Sequence, residues 1–299
     1  MRLVVTGRDG QVTRALQALA GPDLEIVALG RDKFDLAAES DPTPVFAAAR
    51  PDAIVNAGAY TAVDKAESER ELAFAINGRG AGRVARAAAA LNIPIIQIST
   101  DYVFDGSGER PWREDDPVGP LGVYGASKRA GEEAVAAATP NHSILRTSWV
   151  YAPWGANFVK TMLRLAESRP ELRVVADQHG APTSALDIAE GVVAVARNLV
   201  ARPKDSALRG VFHMAAQGEA TWADFAREIF AQSFSRGGPC ANVVSIPTSD
   251  YPTPAKRPLN SRLSIEKLAE AHGVRLPHWR DGLTRVMHEL EQAAGRPRQ

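Results

Sequence analysis

Short unbroken apolar runs alternate along the first half of the chain with longer stretches of helical spacing. Arg2–Thr6, Glu25–Leu29, Ala53–Asn56, Pro94–Ser99 and Ser143–Thr147 read as strands buried on both faces. Gln11–Ala20, Pro42–Arg50, a long stretch from about Ser68 to Leu91, and Tyr124–Ala138 read as the helices between them, with Ala15, Leu16 and Leu19 sharing one face. Strands joined by helices at this spacing predict βαβ units and a parallel sheet, and right-handed crossovers make it doubly wound. After about residue 150 the rhythm breaks at Pro153, Pro170, Pro182, Pro203 and the Pro247 to Pro258 region. The pattern therefore predicts a dinucleotide-binding domain over 1–150 and a smaller substrate-binding lobe over 151–299. The apolar helix Ala185–Ala201 is expected to pack back on the first domain.

Composition removes several function classes. Lys+Arg and Asp+Glu both number 35, and the zero net charge argues against nucleic acid or an anionic membrane as main partner. Cys240 is the single cysteine, so neither an internal disulfide nor a cysteine metal site is available. His142, His179 and His213 show no metal-ligand spacing. No apolar run approaches the ~20 residues that span a bilayer. Met1 leads straight into a strand, without a signal-peptide layout, and a cytoplasmic address is expected.

Gly7-Arg8-Asp9-Gly10-Gln11-Val12-Thr13 lies between the first strand and first helix. Gly7 suits a tight turn, Gly10 lets backbone approach a pyrophosphate, and the helix start at Gln11 and Val12 offers N–H groups to the anion. Thr13 stands where a third glycine is usual. The alternative is a plain turn; its place after the first strand of an α/β chain favours nucleotide binding and a Rossmann-like fold. The second strand ends in Gly30-Arg31-Asp32. Arg31, with Arg8, is placed to meet a 2′-phosphate, or is a solvated charge, and Asp35 is placed beside the adenine. An acid appears only one step on, at Asp32, so NADPH is expected over NADH, with NADH still usable. The small residues Ala57, Gly58 and Ala59 after the third strand fit either a close cofactor or close internal packing.

Tyr124 and Lys128 stand four apart and share a helix face, and Thr100 ends the fourth strand. A neighbouring ammonium is expected to lower the phenol pKa, and a threonine hydroxyl can hold a carbonyl beside it. A tyrosine and lysine at this spacing arise often by chance. The surrounding stretches carry more: NAGAYTAVDKAE (Asn56–Glu67), STDYVFDG (Ser99–Gly106), YGASKRAGE (Tyr124–Glu132), RTSWVY (Arg146–Tyr151), DQHGAPT (Asp177–Thr183) and RPLNS (Arg257–Ser261). With these the chain resembles the extended short-chain dehydrogenase/reductases, and within them the dTDP-4-dehydrorhamnose reductase family, over nearly its whole length.

That resemblance implies reduction of a nucleotide-linked 4-keto-6-deoxysugar, the last step of dTDP-L-rhamnose synthesis. It implies Thr100, Tyr124 and Lys128 as catalytic residues and places Tyr60, Thr61 and Val63 near the cofactor. It implies Asp101, Tyr102 and Trp149 at the sugar, Asn157 and the 177–183 loop bordering the nucleotide-sugar, and Arg257 at its diphosphate. Trp149 also fits a core aromatic, and Arg257 a surface charge. Some family members join subunits through Mg²⁺ held by glutamates, one from the first helix. Here that helix has no acid and Glu289 alone would bind Mg²⁺ feebly, so no metal is expected, and a monomer or weak homodimer.

Rivals on the same fold remain. Dehydratases carry Thr-Asp-Glu where this chain has Thr100-Asp101-Tyr102, so elimination lacks its second acid/base. An epimerase stays open on residues alone, and a non-catalytic nucleotide-binding subunit has no use for Tyr124 beside a nicotinamide.

Overall fold

The computed structural model describes residues 1–293 and 295. Its centre is a six-stranded sheet. β1 (Arg2–Thr6), β2 (Glu25–Leu29), β3 (Ala53–Asn56), β4 (Ile95–Thr100) and β5 (His142–Thr147) are its first five strands. Gly210–His213 is the sixth. The order is Gly210–His213, β5, β4, β3, β1, β2, with every neighbouring pair parallel. The outermost strand thus comes from well beyond residue 150. The hydrophobic pattern did not reveal it, because four residues flanked by Gly210 and a 3₁₀ turn are too short to show a period.

Parallel strands need both faces covered, which explains why these segments are apolar throughout. Helices Gln11–Ala18 and Ala185–Ala201 cover one face, with Val12, Ala15, Leu16, Ile188, Val192 and Leu199 in one buried cluster. Helices Thr43–Ala49 and Val123–Ala138, with the continuous helix 70–90, cover the other through Phe46, Val84 and Val135. The long predicted helix contains a wide-turned segment, Ala75–Gly80, which carries the buried Asn77. Such π-turns recur at functional sites. The remaining chain builds a smaller lobe. Helices Phe158–Ala166, Trp222–Phe234 and Trp279–Ala293 pack around the parallel pair Glu171–Val175 and Asn242–Ile246. Among the described residues, no helix is long and apolar enough to cross a membrane.

The winding direction reverses at β1, which pairs with β2 on one side and β3 on the other, and ligands of open α/β sheets bind beyond such a point. Main chain meets main chain there. Gly7 has φ +79°, and a Cβ on it would lie 2.6 Å from the Cα of Gly58. Thr13 is accommodated because its hydroxyl donates to the Thr6 carbonyl at 3.2 Å, satisfying the group that a glycine would lack.

Beneath the helix Val123–Ala138 lies a buried ion pair. Arg146 on β5 donates from Nε and Nη2 to the two Glu132 oxygens, each at 2.8 Å, and both side chains are at most 2% exposed. Ser99 on β4 donates to the same carboxylate at 2.6 Å and Arg129 at 3.1 Å. Burial pushes the Glu132 carboxyl up, but the hydrogen bonds and charge of Arg146 outweigh it and hold the group below its ordinary range. Removing one member strands the other charge. Glu132→Leu is therefore expected to cost about 3–5 kcal/mol, read from urea unfolding, and the double variant Glu132→Leu/Arg146→Met to recover most of that loss. An additive double variant would show that the pair is not coupled.

Candidate active site

At the carboxyl end of β4, Thr100 is held among three groups. Its Oγ1 donates to Asp101 Oδ1 at 2.9 Å, accepts from the Tyr102 backbone N–H at 3.2 Å, and hydrogen-bonds the Tyr124 phenol. The contact with Thr100 favours the ionised phenol and so opposes the effect of burial on Tyr124. Tyr102 closes the group edge-on to Tyr124, ring centroids 5.5 Å apart at 76°. Asp101 is buried, and that burial raises its carboxyl to about 6 against the opposing bonds from Ser261 and Thr100. Burial also raises Tyr102 above its ordinary value.

Lys128 behaves differently from the expectation. Its Nζ donates to the Ile98 carbonyl at 2.6 Å. Burial lowers the ammonium to about 8, with Glu132 opposing that shift. The Tyr124 phenol is not lowered; burial pushes it up to about 12. The physical reason is that loss of water acts on both groups, and the ammonium is engaged with the strand carbonyl.

The cofactor residues fall around the switch point. Ala57 and Gly58 leave β3, and the Gly58 N–H donates to Thr6 Oγ1 at 3.0 Å. Thr6, Asn56 and Gln97 then form a buried polar ladder across β1, β3 and β4, at 2.6 and 2.7 Å. Ala59 and Tyr60 follow; Thr61 is exposed and Val63 opens the short helix Val63–Ala66. The Tyr60 hydroxyl donates to Glu69 at 2.6 Å, and that bond pushes the phenol up to about 12. The helix beginning at Gln11 has Gly10 as its cap residue and no side-chain cap. The Val12 side chain belongs to the core, so only its main chain faces an anion.

Two residues that sequence reasoning missed stand here. Asn77 accepts from the Tyr60 N–H at 2.8 Å and donates to the Tyr60 carbonyl at 3.0 Å and Ser127 Oγ at 2.9 Å, tying the loop after β3 to the helix Val123–Ala138. A lone amide inside an alanine-rich helix was the available signal. Thr147, the register partner of Thr100, keeps a buried hydroxyl without a protein partner among the described residues. The tight glycine turn at the switch point, the uncapped helix start and this orphaned hydroxyl together fit a nicotinamide dinucleotide.

Other expected residues have other partners. Arg8 pairs with Asp32 at 3.0 Å, whereas Arg31 is exposed. Asp35 closes its own turn by accepting from the Ala37 N–H at 2.9 Å. Asn157 caps the helix Phe158–Ala166, and its amide donates to Gln11 Oε1 at 3.0 Å and to the Ala152 carbonyl at 2.8 Å. That amide ties the two lobes together, and Asn157 also lines a cavity with Gly155, Lys160 and Arg164. Trp154 Nε1 adds a bond to the Gln11 carbonyl at 3.2 Å. Arg257 donates from Nη2 to Asp64 at 2.8 Å, while its Nη1 is buried without a partner among the described residues. Trp149 has φ +49° and stacks on Trp222.

The Lys128 shift carries a sign that can be tested. The folded value, about 8, lies below the ordinary 10.5, so the charged form opposes folding. That penalty is complete below about pH 8 and fades as pH rises toward 10.5. The stability of Lys128→Met relative to the parent should therefore be most favourable near pH 7 and decline across that window, measured by urea midpoints. A difference independent of pH would contradict it.

The site can be compared with known proteins. The sequence profile of the RmlD substrate binding domain matches residues 1–292. A dTDP-4-dehydrorhamnose reductase of Sinorhizobium fredii is 52% identical over 290 residues, covering 97% of this chain and 98% of its own. One from Escherichia coli is 43% identical over 296 residues, covering 97% and 98%. The solved dTDP-4-dehydrorhamnose reductase of Bacillus anthracis, in complex with NADP, aligns with TM-score 0.88 at 36% identity, over 96% of this chain and 99% of that one. The match spans sheet, crevice and smaller lobe alike: the chain belongs to the RmlD substrate binding domain family.

Proposed function

We propose that this protein is the NAD(P)H-dependent reductase that converts dTDP-4-dehydro-L-rhamnose to dTDP-L-rhamnose. The observation that carries the reading is the Tyr124–Thr100–Asp101 chain beside the switch-point crevice, in a chain 52% identical to a reductase of that name. When bound, the nicotinamide supplies hydride to C4 of the sugar. Tyr124 delivers its proton to the C4 oxygen as negative charge develops there. Thr100 turns its hydroxyl proton from Asp101 to that oxygen and so holds it beside the phenol. Lys128, anchored on Ile98, adds positive charge at the helix face and serves the ribose end of the cofactor. Trp149 and Tyr102 form the wall for the deoxysugar, and Arg257 meets the diphosphate. Tyr102 stands where a dehydratase needs a carboxylate, so the site lacks the second acid/base for elimination.

General acid catalysis contributes about 10²–10⁴-fold. Tyr124→Phe is expected to lower kcat by that much while product binding, measured by calorimetry, stays intact. Near-parental turnover would sink the assignment.

NADPH is the proposed preferred cofactor, with NADH usable. Arg8 is the stronger candidate for the 2′-phosphate, since its guanidinium lies across the Gly30–Asp32 strand tip. Losing a charge-assisted contact costs roughly tenfold or more. Arg8→Ala should narrow the NADPH/NADH ratio of kcat/KM by that amount, and Arg31→Ala by less. A parent enzyme that favours NADH would overturn the preference. The first helix, QVTRALQA, contains no acid, and we keep the enzyme metal-independent and a monomer or weak homodimer.

A further inference from the structure

The stretch Asp177–Thr183 has no part in the chemistry above, yet it surrounds a pair of tryptophans. Trp149 lies two residues beyond Thr147, the neighbour of Thr100, in a left-handed backbone conformation that bulky side chains seldom adopt. Such a conformation persists only where its surroundings over-determine it. Here they do. Trp222 stacks on the Trp149 ring with centroids 3.7 Å apart and planes 11° from parallel. Gly180 lies against the same ring; a Cβ there would come within 2.6 Å of Trp149 Cε2. The Thr183 N–H donates to the Trp149 carbonyl at 3.2 Å.

Trp222 is itself aimed. Its Nε1 donates to Gln178 Oε1 at 3.1 Å, and Gln178 Nε2 donates to Thr248 Oγ1 at 3.1 Å. Thr248 in turn donates to Asp177 at 2.6 Å. Phe158 supports the indole from another side, centroids 4.7 Å apart. The loop therefore does three things: Gly180 clears room for one ring, Gln178 orients the other, and Thr183 fixes the backbone between them.

We propose that Trp222 is a positioning residue for the reduction: it backs Trp149 and sets the plane of the wall that the deoxysugar meets, with Gln178 aiming it. The inference rests on Trp149 being that wall. A sugar held against a tilted wall loses both affinity and near-attack geometry.

The test compares variants at the two positions with dTDP-4-dehydro-L-rhamnose as substrate. Trp222→Leu should raise KM for the sugar nucleotide roughly 3- to 10-fold, the scale of one lost aromatic pair. It should lower kcat as well, with Kd for NADPH unchanged. Trp222→Phe restores a ring and should return most of KM. Gln178→Met keeps the indole but removes its acceptor and should fall between, which serves if Trp222→Leu does not fold. Stacked indoles also couple their transitions, so the parent should show a paired circular-dichroism band that Trp222→Leu and Trp149→Phe both lose. Binding of the product dTDP-L-rhamnose should alter that band, and NADPH should not. If Trp149→Ala itself leaves KM at the parent value, the wall reading fails and this inference with it. If Trp149→Ala raises KM while folded Trp222→Leu and Gln178→Met do not, only the inference fails. An equal weakening of NADPH binding would also overturn it, by showing a general structural role.

Discussion

The pairing of Glu132 with Arg146 is the constraint on which the site depends. One carboxylate joins the catalytic helix to β5 through Arg146 and to β4 through Ser99. Those two strands end in Thr147 and Thr100. Tyr124 and Lys128 stand on the same helix, about two turns and one turn before the glutamate. The rotation of the helix about its axis is thereby locked to the strands that carry Thr100 and Thr147. An apolar contact would fill the same space without fixing that angle, because hydrophobic packing is non-directional.

The catalytic geometry then follows from burial. In water, a lysine four residues from a tyrosine would act mainly through its charge. Inside this cleft the ammonium is itself driven toward about 8 and rests on a carbonyl, while the phenol rises to about 12. Asp101, near 6, orients Thr100 from the interior side.

Much of this was legible in the residues. Alternating apolar runs and helical spacing located β1, β2 and β3 to the residue, and the helix Ala185–Ala201 as well. Motif spacing brought Thr100, Tyr102 and Tyr124 together. The sixth strand escaped because it is too short for periodicity, and the wide turn at Ala75–Gly80 because a π-segment leaves the composition of a helix unchanged. Side-chain partners were the least legible. Asn157 and Asn77 are amides whose roles are set by groups 146 and 50 positions away in sequence. Arg8 sat in the glycine turn, but its tie to Asp32 depends on how the turn folds over the strand tip.

The contact between Gly7 and Gly58 is asymmetric, and the asymmetry governs which substitutions can be compensated. A Cβ on Gly58 would meet the Leu36 Cδ1 at 2.7 Å, the end of a side chain that a smaller residue would withdraw, and then Thr6 Oγ1 at 3.1 Å and the Gly7 N at 3.2 Å, which need yield only a few tenths of an ångström. A Cβ on Gly7 would meet the Cα and N of Gly58 at 2.6 and 3.0 Å, and no exchange of side chains moves main chain out of the way. One glycine is therefore conditional, its worst clash open to relief by a second-site change at position 36 and the rest to small shifts. The other is absolute, and a lineage that loses it has no single-step route back except reversion.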